Sequence, residues 1–185
     1  MAEAALAEAG ADRGPGANRR LGLLIAAAAL AVDQIVKWLM LNPLHLFERS
    51  LGGDGIVVLG FFRFLYTENP GISMRFLPAG SPATRWVLVA LTGAIAAFVL
   101  AWMWREKRRD DAIALALILG GALGNIADRV RLGFVIDYAD LHFGDFRPFL
   151  VFNFGDVAIT IGVLLLLVRA LLGTRRGTAV EAVNG

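Results

Sequence analysis

The stretch that decides the fold runs Ala112-Ile113-Ala114-Leu115-Ala116-Leu117-Ile118-Leu119-Gly120-Gly121-Ala122-Leu123-Gly124-Asn125-Ile126-Ala127-Asp128-Arg129. From Ala112 to Gly124 it is wholly apolar. A membrane-spanning helix needs about 20 such residues. This one reaches full length only by taking in Asn125, Asp128 and Arg129 at its outer boundary. A second stretch, Phe152-Asn153-Phe154-Gly155-Asp156, opens another apolar run that continues to Leu172. Ionisable groups at membrane depth cost roughly 2.5–3.5 kcal/mol each on insertion scales, so they are read first as functional. Between the two stretches lies Phe134-Val135-Ile136-Asp137-Tyr138, where Asp137 has no cation beside it. Two carboxylates at the outer ends of two spans, Asp137 and Asp156, point to acid–base chemistry at a membrane surface.

Composition agrees with a membrane protein. The 185 residues are 57% hydrophobic, against roughly 45–50% for soluble domains. A net charge of +2 is too small to indicate nucleic acid, and the basic residues flank apolar runs, where they set topology. There is no cysteine, which excludes disulfides, thiol nucleophiles and Cys-based metal sites. Two histidines, His45 and His142, do not make a His-rich metal cage. No metal and no cofactor is expected.

Along the chain, residues 1–18 read as a poorly ordered cytoplasmic tail. Residues 19–172 read as a membrane domain with spans at about 21–41, 85–104, 112–130 and 151–172, and 173–185 as a second cytoplasmic tail. The alternative for the first span is a cleavable signal peptide, with Arg19-Arg20 before the apolar run and Ala29-Leu30-Ala31 within it. Residues at about 42–82 form a long connection. Within it, Ile56 to Leu59 and Phe61 to Tyr66 are rich in β-branched and aromatic residues, and Asn69-Pro70-Gly71 follows. This pattern predicts two or three short strands with turns, outside the hydrocarbon core, where open sheet edges are not tolerated. Arg13, Arg19, Arg20, the Arg105–Arg109 cluster, Arg169, Arg175 and Arg176 fall on one side, which the positive-inside rule makes cytoplasmic. Both carboxylate clusters then face outward.

Each constellation has a simpler structural reading. Asp33 and Lys37 are one turn apart, as an i,i+4 pair that eases insertion or with Asp33 facing a polar site. Asn125, Asp128 and Arg129 share a helix face. A local Asp128–Arg129 or Asn125–Arg129 contact closing the helix end accounts for Asp128 and Arg129. Asn153 and Asp156 suit an N-cap and a first turn. None of this accounts for Asp137. If the third and fourth spans are neighbours, Asp137 and Asp156 approach each other. Two close carboxylates then share a proton, leaving a base beside an acid, as in aspartic proteases. Asp140, His142 and Asp145 form a loop cluster that reads as solvated charge, with a metal site as the alternative. The segment Tyr138–Pro148 and the sheet are candidates for a lid. The competing functions are a proton-coupled transporter, since membrane carboxylates also serve proton relays, and a structural membrane protein that binds a partner through its outer loop.

At these residues the chain resembles the lipoprotein signal peptidases, or signal peptidase II. The resemblance runs from about Leu21 to Leu172. It rests on Gly124-Asn125-x-x-Asp128-Arg129 with Gly133 and Asp137, and on Phe152-Asn153-x-x-Asp156, with support from Asp33-Gln34-x-x-Lys37 and Thr67-Glu68-Asn69-Pro70-Gly71. It implies a bacterial inner-membrane aspartyl endopeptidase with its active site facing the periplasm. The implied fold is mainly α, four transmembrane helices with a small periplasmic β-sheet between helices one and two. The implied catalytic residues are Asp137 and Asp156. Asp33, Asn69, Asn125, Arg129 and Asn153 would support the site or bind substrate, with Asp128 more structural. The implied substrate is a prolipoprotein, cut before its diacylglyceryl-modified Cys. Membrane lipid is the other expected partner, and the protein is expected to be a monomer. Two positions depart from the family pattern. Gly155 stands where Ala is common, which should fit sterically but loosen the helix start, and Ile72-Ser73-Met74-Arg75-Phe76 replaces the usual Ala-Phe.

Overall fold

The computed structural model describes residues 15–71, 82–144 and 146–181. In chain order the elements are α1 (Pro15–Leu41), α2 (Leu46–Ser50), β1 (Ile56–Leu59), β2 (Phe62–Asn69), α3 (Pro82–Arg105), α4 (Arg109–Leu132), β3 (Val135–Leu141) and α5 (Phe154–Glu181). Four of the helices, α1, α3, α4 and α5, are long and apolar enough to cross a membrane. The protein is a multi-pass membrane protein, and the leucines and valines that α5 leaves exposed face a solvent as apolar as they are.

The most apolar-looking part of the bundle is not its centre. The spanning window of α4 is 50% buried, against 17–28% for the other three. The helix that carries the deciding stretch is therefore the hub, with α1, α3 and α5 packed around it. Small residues permit this close approach. A side-chain carbon on Gly121 would fall 3.0 Å from Ile159 and closer still to the Gly155 carbonyl. On the α1 side, the buried Ala26, Leu115, Ala116 and Leu119 share one apolar cluster with Ala96, Val99 and Met103 of α3.

One end of the bundle is tied by polar contacts. Arg19 Nε donates to the Trp104 carbonyl at 2.8 Å, Asn18 Nδ2 donates to the Lys107 carbonyl, and Arg169 pairs with Asp110 at 2.6 Å and Asp111 at 3.0 Å. The start of α1, the α3–α4 turn and the far part of α5 thus share an end, as an even number of antiparallel crossings requires. The first spanning helix begins earlier than expected. Pro15 to Asn18 form the first turn of α1, where proline is favoured, and Asn18 is buried. Residues before Pro15 lie outside the described residues. At the other terminus the fourth spanning helix continues past Leu172 to Glu181.

The opposite end carries the sheet. Its order is β1-β2-β3, all antiparallel. This corrects the expected placement. Only β1 and β2 come from the connection between the first two spans, and the third strand follows α4. Gly133, in the left-handed region at φ 95°, stops α4 with its N–H on the Arg129 carbonyl, a C-terminal cap that favours glycine. The chain turns straight into β3. From Val135 to Asp140 every residue of this strand is buried, so it is the strand by which the sheet packs against the helices. The short α2, which the sequence reading did not anticipate, inserts Leu46 beneath the sheet against Met40, Tyr138 and Ala139.

Candidate active site

Two backbone pairings bring the site together. In the first, β2 pairs with β3, with Arg63 opposite Asp140 and Thr67 opposite Asp137. The register shifts between Phe64 and Thr67, because β2 spends one extra residue there, a bulge that re-aims the strand beyond it. Asn69 of β2 then reaches Asp137, donating from Nδ2 to Oδ2 at 3.0 Å. Its own Oδ1 accepts the Gly71 N–H at 2.9 Å, which fixes the amide. In the second pairing, Phe152 exchanges hydrogen bonds with Ala139 (2.8 and 3.0 Å) on the other edge of β3. That contact delivers the next residue, Asn153, and the start of α5 to Asp137.

Asn153 and Asp156 form a reciprocal cap. The Asn153 side-chain oxygen accepts the Asp156 N–H at 3.0 Å, and Asp156 Oδ2 accepts the Asn153 N–H at 3.1 Å. This satisfies two free donors at the helix start. The structural reading of these two residues therefore holds, and it does not exclude a chemical one. With its oxygen engaged in the cap, Asn153 turns Nδ2 toward Asp137 Oδ1 (2.6 Å) and Asn125 Oδ1 (3.1 Å). Asn125 Nδ2 in turn donates to Asp156 Oδ1 at 2.9 Å. The two carboxylates are linked by two asparagines, and each of their four oxygens accepts one N–H. Tyr138, next to Asp137 on β3, accepts the Phe154 N–H on its hydroxyl at 3.1 Å and so also holds the start of α5.

Asp137 is 2% exposed. Burial pushes its carboxyl from the ordinary 3.8 up to about 6. The Asn69 hydrogen bond opposes the rise, the Asp156 charge adds to it, and the Asn153 hydrogen bond and the Lys37 charge oppose it. A carboxyl that binds its proton more tightly than usual, beside a second carboxylate, has the makings of an acid–base pair.

Behind the pair lies a buried ionic cluster that the sequence reading saw only in part. Asp33 and Lys37 do form the expected i,i+4 pair at 2.8 Å. Asp33 also accepts the Gly155 N–H on its other oxygen at 2.9 Å, so the sharper expectation, a carboxylate facing the polar site, is met as well. Asp128 does not pair with Arg129. Its carboxylate binds Lys37 at 2.7 Å, Gln34 Nε2 at 3.0 Å and the Ile136 N–H at 3.2 Å, which ties α1, α4 and β3 together. Arg129 is half-buried, with its Nε lacking a hydrogen-bond partner among the described residues. Lys37 and Gln34 were missing from the expected site. The i,i+4 pattern hid them, because it gives Lys37 a sufficient partner in Asp33 without reference to α4.

Two further expectations change. Asp140 is fully buried, not a solvated loop charge, and accepts Arg63 Nε at 2.8 Å across the strand pair, with Arg147 at 3.6 Å and His142 at 3.8 Å. Among the described residues no three potential ligands are grouped to hold a metal, and Asp145 lies outside them. The segment expected to act as a lid begins inside β3, where Tyr138 to Leu141 are built into the sheet. The Ile72–Phe76 departure lies outside the described residues. Gly155 is matched by its surroundings, since an added side-chain carbon would lie 2.9 Å from the Gly121 carbonyl oxygen and 3.0 Å from the capping oxygen of Asn153. An apolar cavity of about 240 Å³ opens beside Asp156, lined by Phe149, Phe152, Val157, Thr160 and Ile161.

The chain matches the family model described as signal peptidase (SPase) II over residues 25–172. It is 56% identical over 155 residues to a lipoprotein signal peptidase of Rhizorhabdus wittichii, covering 84% of this chain and 88% of the relative. Identity to the lipoprotein signal peptidase of Sphingopyxis alaskensis is 53% over 161 residues, covering 86% and 91%. Among solved structures, a bacterial membrane enzyme determined at 1.9 Å resolution superposes with a TM-score of 0.67 at 25% identity, covering 82% of this chain and 92% of that one.

Proposed function

This chain belongs to the signal peptidase II family, and from that premise we propose that Asp137 and Asp156 are the catalytic pair of a membrane aspartic endopeptidase. Its substrate is a diacylglyceryl-modified prolipoprotein, cleaved just before the lipid-modified Cys. The observation that supports this most directly is the pair of asparagines, Asn125 and Asn153, that hold a carboxylate from β3 and a carboxylate from α5 in one hydrogen-bonded group.

The chemistry needs one proton shared between the two carboxyls. The ionised member takes a proton from water, whose oxygen attacks the scissile carbonyl carbon. The protonated member then gives its proton to the departing amide nitrogen as the C–N bond breaks. The products are a carboxylic acid and an amine, and the pair returns to its starting state with one proton. Burial of Asp137 supports this division of labour, because it carries proton binding from the ordinary carboxylate range up to about 6. Asp33, through the Gly155 N–H, and Asn69, through Asp137, position the two carboxyls. Asp128 anchors the start of β3. Arg129, half-buried and with an Nε that has no hydrogen-bond partner among the described residues, would offer its guanidinium to a substrate carbonyl.

A lipid-anchored substrate arrives from within the bilayer, and the cavity beside Asp156 is apolar and bounded by α5, which suits that approach. By the positive-inside rule the end tied by Arg19, the Arg105–Arg109 turn and Arg169 is cytoplasmic. The pair then faces the periplasm from the bacterial inner membrane. The peptidase unit is residues 19–172 together with the first turn of α1, and it acts as a monomer.

The test is cleavage of a diacylglyceryl-modified prolipoprotein in liposomes by wild type, Asp137→Asn and Asp156→Asn. Cleavage before the modified Cys by wild type alone is expected. Near-normal activity in either folded Asn variant would sink the reading.

A further inference from the structure

We propose that Lys37, which spends its hydrogen bonds on groups outside the Asp137–Asp156 pair, is a positioning residue that sets the protonation balance of that pair through Asn125. The inference rests on the peptidase reading above and deepens it.

An ammonium group has three donors and no acceptor. All three of those of Lys37 are used, on Asp33 Oδ2 at 2.8 Å, Asp128 Oδ2 at 2.7 Å and Asn125 Oδ1 at 3.2 Å. Because lysine can only donate, the Asn125 amide must present its oxygen to Lys37. Its nitrogen is thereby turned to Asp156 Oδ1, at 2.9 Å. The reverse rotamer would set the amide nitrogen against an ammonium and the amide oxygen against a carboxylate. Asn153 also donates to the Asn125 oxygen, at 3.1 Å, but of the two donors only Lys37 is charged, and hydrogen bonds from charged donors are roughly twice as strong. Lys37 thus decides that Asp156 Oδ1 meets a donor and not an acceptor.

Charge acts on the pair as well. Around the pair, α1 contributes Asp33 and Lys37, α4 contributes Asp128 and Arg129, β3 contributes Asp137 and Tyr138, and α5 contributes Asp156. Carboxylates outnumber cations two to one in this group. Lys37 is 3% exposed, so its charge is little screened by solvent. Without it, Arg129 is the remaining cation of the group, and protons bind the pair more readily.

The experiment is the pH dependence of kcat/KM on a lipid-modified prolipopeptide in nanodiscs. It compares wild type with Lys37→Met, Lys37→Arg, the charge-compensated Lys37→Met/Asp128→Asn and Asn125→Leu. In Lys37→Met both limbs of the profile should move to higher pH, by roughly one unit. Lys37→Arg, still cationic and donor-only, should bring them back. Asn125→Leu retains the ammonium and removes the amide that joins it to Asp156, together with that amide's own hydrogen bonds to Asp156 and Asn153, so it should move the acid limb upward. A purely structural Lys37 would scale the profile by the folded fraction and leave its limbs in place. That result, in Lys37→Met or in the compensated variant, overturns the proposal, as do unmoved limbs in Asn125→Leu. A wild-type protein inactive on the peptide overturns the peptidase reading and this inference with it.

Discussion

Substituting Gly124 with alanine tests whether the ionic cluster behind the carboxylate pair is as tightly specified as its geometry indicates. Gly124 lies on the face of α4 that meets α1. An added side-chain carbon would lie 2.9 Å from Asp33 Cγ and 3.3 Å from Asp33 Cβ, and closer still to Oδ2. Asp33 is fully buried and cannot swing aside freely. Its oxygens hold Lys37 at 2.8 Å, the Gly155 N–H at 2.9 Å and Gln34 Nε2 at 3.1 Å. If the helices part and the cluster survives, overpacking costs about 1–3 kcal/mol, offset by about 1 kcal/mol from the better helix propensity of alanine. If the Asp33–Lys37 pair breaks instead, the uncompensated charge costs about 3–5 kcal/mol. The clash falls on the carboxylate itself, so the second route dominates, and a net loss of about 3 kcal/mol is expected after the same offset. Gly93, in the middle of α3, is the control. Among the described residues nothing outside its own helix backbone lies within 4 Å of its added carbon, so Gly93→Ala should gain up to about 1 kcal/mol. Reversible unfolding of both variants in mixed detergent micelles gives the comparison. Gly124→Ala within 0.5 kcal/mol of Gly93→Ala, as an order-of-magnitude bound set by surface-type substitutions, would refute the reasoning.

Stability should also depend on pH through Asp137. Its folded value of about 6 lies above the ordinary 3.8, so the folded state binds the proton more tightly. The resulting stabilisation is fully present below pH 3.8 and is lost as pH rises through about 6. At about 1.4 kcal/mol per pH unit the loss is about 3 kcal/mol, measured as the unfolding free energy of wild type minus that of Asp137→Asn. A flat difference between pH 4 and pH 7 would contradict it. At the sheet, Arg63→Met should cost about 3 kcal/mol, because among the described residues it leaves the fully buried Asp140 facing only Arg147 at 3.6 Å and His142 at 3.8 Å. Adding Asp140→Asn should recover much of the loss in thermal unfolding, and no recovery would show that Arg63 acts by packing alone.

Some of the site was legible in the sequence because the chemistry is local. The Asn153–Asp156 cap and the Asp33–Lys37 pair sit three and four residues apart, distances at which helix geometry alone brings side chains together. The strand β3 was not legible. Val135, Ile136 and Tyr138 are good strand residues, but the stretch is short and its strand partners lie far away in β2, so it read only as an apolar segment before a loop. Gly133 was the available signal, since a glycine after the last helical residue is a stop. The link from Lys37 to Asp128 was hidden for a different reason. Those residues are far apart in the chain and meet only when α1 lies against α4, and Asp33 already gave Lys37 a local partner.

Hydropathy by itself determined the four spans, since a backbone in lipid must satisfy its own hydrogen bonds and an apolar run of that length has no alternative to a helix. The alternation of charge along the chain supplied the expected orientation on the same footing. What only the tertiary structure decided is how the two carboxylates come together. One stands on a strand and the other in the first turn of a helix, and they meet through the bulged register of β2 on β3 and the Phe152–Ala139 pairing. Strand register depends on partners far away in the sequence, because backbone donors and acceptors are the same at every residue. Only the assembled neighbours choose among them.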